Sequence, residues 1–143
     1  MQNNIELYFS ALTQNETFAR AVIAAFAAQM NPSIEELSDL RTAVSEAVTN
    51  AIIHGYERDG SRCVKMRCTI DGDLLTVAVR DDGCGIPDVE LARKPFYTSK
   101  PELERSGMGF AVMEAFMDRV TVESALGKGT TVTMEKRICH AER

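Results

Sequence analysis

The sequence predicts an α/β fold: a two-layer sandwich in which a mixed, largely antiparallel sheet is covered on one face by three helices. Two patterns and their order predict it. Alternating apolar residues mark five short strands, four of them joined in pairs by turn sequences. Apolar residues at helical spacing mark three helices, two of them opened by capping signals. The elements follow as β-α-α-β-β-loop-α-β-β, so hairpins dominate. That order suits helices packed on hairpins, not a doubly wound parallel sheet. The 143 residues are 45% hydrophobic and 26% charged. This is the size of one domain, 1–143, with ordinary globular composition, which excludes a disordered tail or a fibrous repeat.

Taken in order, Ile5, Leu7 and Phe9 alternate with polar or tolerant neighbours and predict a short first strand. Thr13-x-x-Glu16 reads as a capping box opening a helix whose buried stripe is Phe18, Val22, Phe26 and Met30. Asn31-Pro32 ends that helix. Ser33-x-x-Glu36 is a second capping box, and its helix runs to about Ile53 and stops near Gly55. Val64, Met66, Cys68 and Ile70 alternate with polar residues as a half-buried strand. Asp71-Gly72-Asp73 turns the chain into a partner strand carrying Leu75, Val77 and Val79 and ending at Asp81. Residues 82–109 are rich in glycine and proline and read mostly as loop. A third helix covers Gly109 to Asp118, with Val112, Met113, Phe116 and Met117 inward. A last hairpin joins Val120–Ser124 to Thr130–Lys136, and the tail after Arg137 reads as frayed.

Composition narrows the function. Acidic residues outnumber basic ones 21 to 16, a formal charge of −5. A general nucleic-acid binder needs a basic surface to neutralise phosphates, so direct nucleic-acid binding is not expected. The longest apolar run, Ala21 to Ala28, is far short of the roughly 20 residues of a membrane span. The polar N-terminus lacks a signal peptide's regions, so no membrane role is expected and the chain reads as cytoplasmic. Cys63, Cys68, Cys84 and Cys139 include no CxxC pair and no neighbouring histidine, and read as reduced structural thiols.

Four short stretches carry chemistry. On a helical wheel with Glu46 at zero, Asn50 lies at about 40°, while Leu37, Leu40, Val44, Val48 and Ala51 fall between about 120° and 200°. Glu46 and Asn50 thus share a face roughly opposite the core stripe. A carboxylate beside a carboxamide suits a hydrated divalent cation, and equally a solvated polar face. Asp81-x-Gly83-x-Gly85 puts a carboxylate at a strand end, followed by glycines that let backbone approach a flat ligand, or that simply turn the chain. Gly107-Met108-Gly109 exposes backbone N–H groups at a helix N-terminus, which favours phosphate. Neither the Walker A spacing nor a dinucleotide fingerprint is present. Gly127-Lys128-Gly129-Thr130 alone needs no function beyond a turn.

In order, Glu46-x-x-x-Asn50-Ala51, Asp81-x-Gly83-x-Gly85, Gly107-x-Gly109 and Gly129-Thr130 resemble the N, G1, G2 and G3 boxes of the GHKL ATPase superfamily, across about residues 34–136. The stretch from Glu46 to Tyr56 resembles the N box of bacterial anti-sigma serine kinases, and Thr98–Phe110 brings the whole chain close to the anti-sigma-F family of endospore-forming bacteria. The resemblance implies the GHKL ATP-binding fold with ATP or ADP and Mg²⁺ as ligands. It implies Asn50 on Mg²⁺, Glu46 as general base, Asp81 reading the adenine amino group, Gly83 and Gly85 admitting the ring, and Thr130 supporting the adenine end. Gly107, Met108 and Gly109 would present N–H groups to the phosphates. Arg105 and Lys100 would neutralise the terminal phosphate, and residues 94–107 would form a lid. Cys84 would point away from the ligand, and Asp82 leaves two neighbouring carboxylates in competition for the base.

The function so implied is an anti-sigma factor and protein serine kinase. It would inhibit a sporulation sigma factor in its ATP-bound form and phosphorylate an anti-anti-sigma factor on serine. A nucleotide-gated sequestering module without kinase chemistry is the alternative, and Glu46 separates the two. A MutL-like clamp would need a following transducer domain, and a histidine kinase a helical hairpin domain. His54 reads as a helix-end residue near the site and His140 as inert. A homodimer is expected, with the first strand and first helix as the elements left free for it.

Overall fold

A computed structural model describes residues 1–94 and 109–139. Five strands form one sheet: β1 (Gln2–Ser10), β2 (Cys63–Asp71), β3 (Leu74–Asp81), β4 (Arg119–Ala125) and β5 (Gly129–Arg137). Their order is β1-β2-β3-β5-β4 and each neighbouring pair is antiparallel. The expected largely antiparallel sheet is present, and among the described residues every neighbouring pair is antiparallel. Each neighbouring pair apart from β3–β5 is either a hairpin or closed by the long return from β1, so no parallel crossover is needed.

Helices α1 (Gln14–Ala27), α2 (Ile34–Asn50) and α4 (Gly109–Phe116) form the second layer, with α2 packed between the other two. A single-turn α3 (Val89–Ala92) interrupts the loop after β3. The buried side of the sheet is set by strand alternation. Val64, Met66, Cys68 and Ile70 of β2, Leu75, Val77 and Val79 of β3, and Val132 and Met134 of β5 are all buried. The opposite side is polar, with Glu6 bridging Lys65 and Arg67.

The α2 start is as the sequence predicts. Ser33 Oγ accepts the Glu36 N–H at 3.0 Å and Glu36 accepts the Ser33 N–H at 2.9 Å. The first capping box does not form. Thr13 is helical and its side chain makes no cap bond. Glu16 is drawn instead to Ser45 of α2 and to Arg20, one turn on. The α1 stripe is also corrected: Phe18 is exposed, and Ala19, Ile23, Phe26 and Ala27 face the core. After α2 the chain widens into a π turn, Ala51–Gly55, in place of a simple α-helical stop. The tail is not frayed at its start. Ile138 is buried with its N–H on Asp73 O, and the Cys139 N–H reaches Glu36.

Cys63, Cys84 and Cys139 are exposed and Cys68 is buried, and all four are free thiols. Burial pushes the Cys68 thiol up to about 12, which makes it an inert core residue.

Candidate functional site

The core alternation of β3 ends in a carboxylate. Asp81 continues the inward row of Leu75, Val77 and Val79 and is only 5% exposed. The strand register pairs Asp81 with Thr130 and Thr130 with Ser124, just as Val79 pairs with Val132 and Val132 with Val122. Cross-strand partners share a face. A polar row therefore sits at the end of the apolar rows. Thr130 and Ser124 share a hydroxyl hydrogen bond of 2.8 Å, and Ser124 also accepts the Ile86 N–H at 2.7 Å. This ties the hairpin to the loop after β3.

Backbone surrounds the Asp81 carboxylate. The Gly83 N–H donates to Oδ1 at 2.9 Å. A Cβ on Gly55 would lie 2.5 Å from Asp81 Cγ, so the π turn reaches the carboxylate only because residue 55 has no side chain. Gly85 holds φ +80°, and a Cβ there would meet Ala125 O at 2.3 Å. Burial raises the Asp81 carboxyl from 3.8 to about 6, assisted by the negative Asp82 and opposed by the N–H groups of Gly83 and Thr130 and by Arg62. Asp82 is exposed and pairs with Arg80 at 3.1 Å. Burial separates the two carboxylates: Asp81 faces into the molecule and Asp82 faces solvent.

A second polar pair lies under α4. A Cβ on Gly109 would sit 3.2 Å from Asn50 Nδ2, 3.3 Å from Asn50 Oδ1 and 3.4 Å from Glu46 Oε2. The wheel correctly puts Glu46 and Asn50 on one face, but that face is half-buried and not opposite the packed surface. Ala43 and Ala47, at about 60° and 100° on the same wheel, are buried too, and α4 packs against α2. Asn50 Nδ2 is buried with no hydrogen-bond partner among the described residues. Such a group costs free energy unless a ligand meets it or the amide oxygen takes its place. A carboxylate and an amide side by side supply the hard oxygen donors that Mg²⁺ takes along with phosphates. The Glu46 carboxylate and the Asn50 amide oxygen are donors that fit that ion, whereas the orphaned Nδ2, an N–H donor, fits an acceptor such as a phosphate oxygen. Among the described residues no cluster of three or more His, Cys, Asp or Glu offers an all-protein metal cage.

Gly83, Gly85, Asp81 and Thr130 thus meet at the sheet end, and Glu46, Asn50 and Gly109 meet at the α2–α4 contact. Lys100, Arg105, Gly107, Met108 and most of the expected lid lie outside the described residues. The Cys84 thiol is exposed and donates to His54 O at 3.0 Å, and the Cys84 N–H donates to Gly55 O at 3.1 Å. Sequence reading missed Ser124, Tyr56 and the structural role of Gly55. Ser124 was discoverable, because it shares the parity of Val120 and Val122 and so faces inward. No helix among the described residues is long and apolar enough to cross a membrane.

The model of the histidine kinase-like ATPase domain family matches residues 9–136. The anti-sigma F factor of Geobacillus stearothermophilus is 54% identical over 142 residues, covering 99% of this chain and 97% of that protein. The anti-sigma F factor of Clostridium perfringens (strain SM101 / Type A) is 56% identical over 138 residues, covering 96% of this chain and 99% of that protein. The crystal structure of the RsbU and RsbW domains of Rv1364c from Mycobacterium tuberculosis shares the fold, with a TM-score of 0.69 at 21% identity over 95% of this chain and 32% of that one. The chain belongs to the histidine kinase-like ATPase domain family and, within it, to the anti-sigma F factors.

Proposed function

We propose that the chain is an anti-sigma factor and an ATP-dependent protein serine kinase. It holds a sporulation sigma factor when ATP is bound, and it transfers the terminal phosphate of Mg-ATP to a serine of an anti-anti-sigma factor. The nucleotide part rests on one observation above all: a buried carboxylate, Asp81, at a strand end, with glycine backbone packed closely about it at Gly55 and Gly83. The partners rest on kinship, since the full-length relatives are anti-sigma F factors.

In this reading Asp81 accepts a hydrogen bond from the adenine amino group, Gly83 and Gly85 admit the ring, and Thr130 with Ser124 supports that end. Asn50 holds Mg²⁺, which supplies neutralisation of the phosphate charge. Gly107, Met108 and Gly109 offer N–H groups to the phosphates, and Arg105 and Lys100 neutralise the terminal one. Glu46 takes the proton of the serine hydroxyl onto a carboxylate oxygen as the serine Oγ bonds to the terminal phosphorus, and the bond from that phosphorus to the ADP oxygen breaks so that ADP departs. Phosphoryl transfer asks for positioning and charge neutralisation more than for covalent chemistry, and these groups supply both. The 143 residues act as one cytoplasmic kinase domain. They form a homodimer through β1, which bonds to the described sheet along one edge only, and through α1.

Calorimetric titration with ATP, with and without Mg²⁺, tests the nucleotide reading. Asp81→Asn should lose ATP under both conditions, and Asn50→Ala should lose only the gain that Mg²⁺ brings. Unchanged ATP binding by Asp81→Asn would contradict the assignment of the base site.

A further inference from the structure

The chain between the π turn and β2 makes two side-chain contacts that converge on a single residue's backbone. Tyr56 is buried, and its phenol oxygen accepts the Asp82 N–H at 2.6 Å while donating to Cys63 O at 2.8 Å. The Arg62 guanidinium lies over the Tyr56 ring, 4.7 Å from its centre, and Nη2 donates to Asp82 O at 2.8 Å. Both backbone polar groups of Asp82 are therefore held by side chains. The ladder between β3 and β5 ends one residue earlier, at the Asp81–Thr130 pair, so no strand is paired with Asp82. Glu57 and Arg58 adopt φ of 51° and 63°, a left-handed path that non-glycine residues rarely take. That path turns the loop back so that Arg62 lies over the Tyr56 ring.

A tyrosine needed only for volume has no use for a hydroxyl bonded at both ends. The Asp82 side chain is exposed and turned to Arg80, so the clamp grips its backbone alone. On one side of that backbone is the Asp81 carboxylate. On the other is Gly83, whose N–H donates to Asp81 Oδ1.

We propose that Tyr56 and Arg62 are positioning residues that lock the Asp82 backbone, and so aim the Asp81 carboxylate at the 6-amino group of a purine nucleotide. The clamp makes them determinants of base selectivity without contact to the base. This rests on the reading of Asp81 given above.

The test compares dissociation constants of ATP and purine riboside triphosphate, which lacks the 6-amino group. The wild-type protein should prefer ATP. Tyr56→Phe keeps the ring and removes the clamp's hydroxyl. It should reduce that preference by roughly three- to tenfold, the range for one polar hydrogen bond, while binding of purine riboside triphosphate changes less than twofold. Arg62→Met, at an exposed position, should shift the preference in the same direction and guards against a folding defect in the first variant. Full preference in both single variants, or equal weakening of both nucleotides, would overturn the clamp while leaving Asp81 as the base reader. A wild-type protein without any preference would overturn the Asp81 reading, and the clamp with it.

Discussion

Replacing Asp81 by asparagine should stabilise the nucleotide-free protein. The carboxyl is buried and its pKa rises from 3.8 to about 6, chiefly by desolvation. A tenfold change in proton affinity is worth about 1.4 kcal/mol, so keeping this group ionised at pH 7.5 costs the fold about 3 kcal/mol. Asparagine keeps an oxygen for the Gly83 N–H, but its buried amide nitrogen needs a partner and returns about 1 to 2 kcal/mol of that gain. The net gain is roughly 1 to 2 kcal/mol, a rise in melting temperature on the order of 3 to 8 °C for a chain of this size. The sign with pH follows from a raised carboxyl pKa. The stabilisation associated with protonated Asp81 is complete below its unfolded value and is lost as pH rises through about 6. The advantage of the variant should therefore shrink by roughly 1 to 2 kcal/mol between pH 7.5 and pH 5. Urea unfolding of both proteins, stripped of nucleotide, reads this directly. A variant less stable than wild type at pH 7.5, or a gap that does not narrow on acidification, would mean that the buried Asp81 carboxylate does not destabilise the fold.

Three further outcomes are expected. ATP affinity should fall as pH drops through about 6, approaching tenfold per pH unit, because the proposed contact to the adenine amino group uses the ionised Asp81 carboxylate; fluorescence titrations across pH read the slope. Ser33→Ala should cost about 1 kcal/mol in urea unfolding, since it removes a formed cap, whereas Thr13→Ala should stay within about 0.5 kcal/mol. Asn50→Ala should leave nucleotide-free stability unchanged or raise it by up to about 1 kcal/mol, because the Nδ2 it removes is buried without a partner; a loss above about 2 kcal/mol would mean that the amide is satisfied.

The strands were legible because each has one buried face, and alternation reports that directly: all four even positions from Val64 to Ile70 are buried. The inward aspect of Asp81 was available from the same parity. Helix α1 was harder. Its core face is built partly from Ala19 and Ala27, and small residues leave a weak signal beside the bulkier but exposed Phe18. The two capping boxes are alike in sequence and differ in outcome, because Ser45 on α2 draws Glu16 away from its own helix end. That contact links residues far apart in the chain, and local spacing cannot report it. The same holds for Glu46 and Asn50. Their shared face follows from helical geometry, whereas their cover comes from α4, whose packing is tertiary. The Tyr56 clamp was invisible for this reason too, since its phenol bridges the ends of β2 and β3.

Phosphoryl transfer from Mg-ATP with Glu46 as base is read by labelled γ-phosphate transfer to a purified anti-anti-sigma factor, run beside Glu46→Gln. Stoichiometric label should appear on a serine and be lost in the variant while ATP remains bound. Tight ATP binding with no transferred label would contradict it and leave a nucleotide-gated sequestering protein.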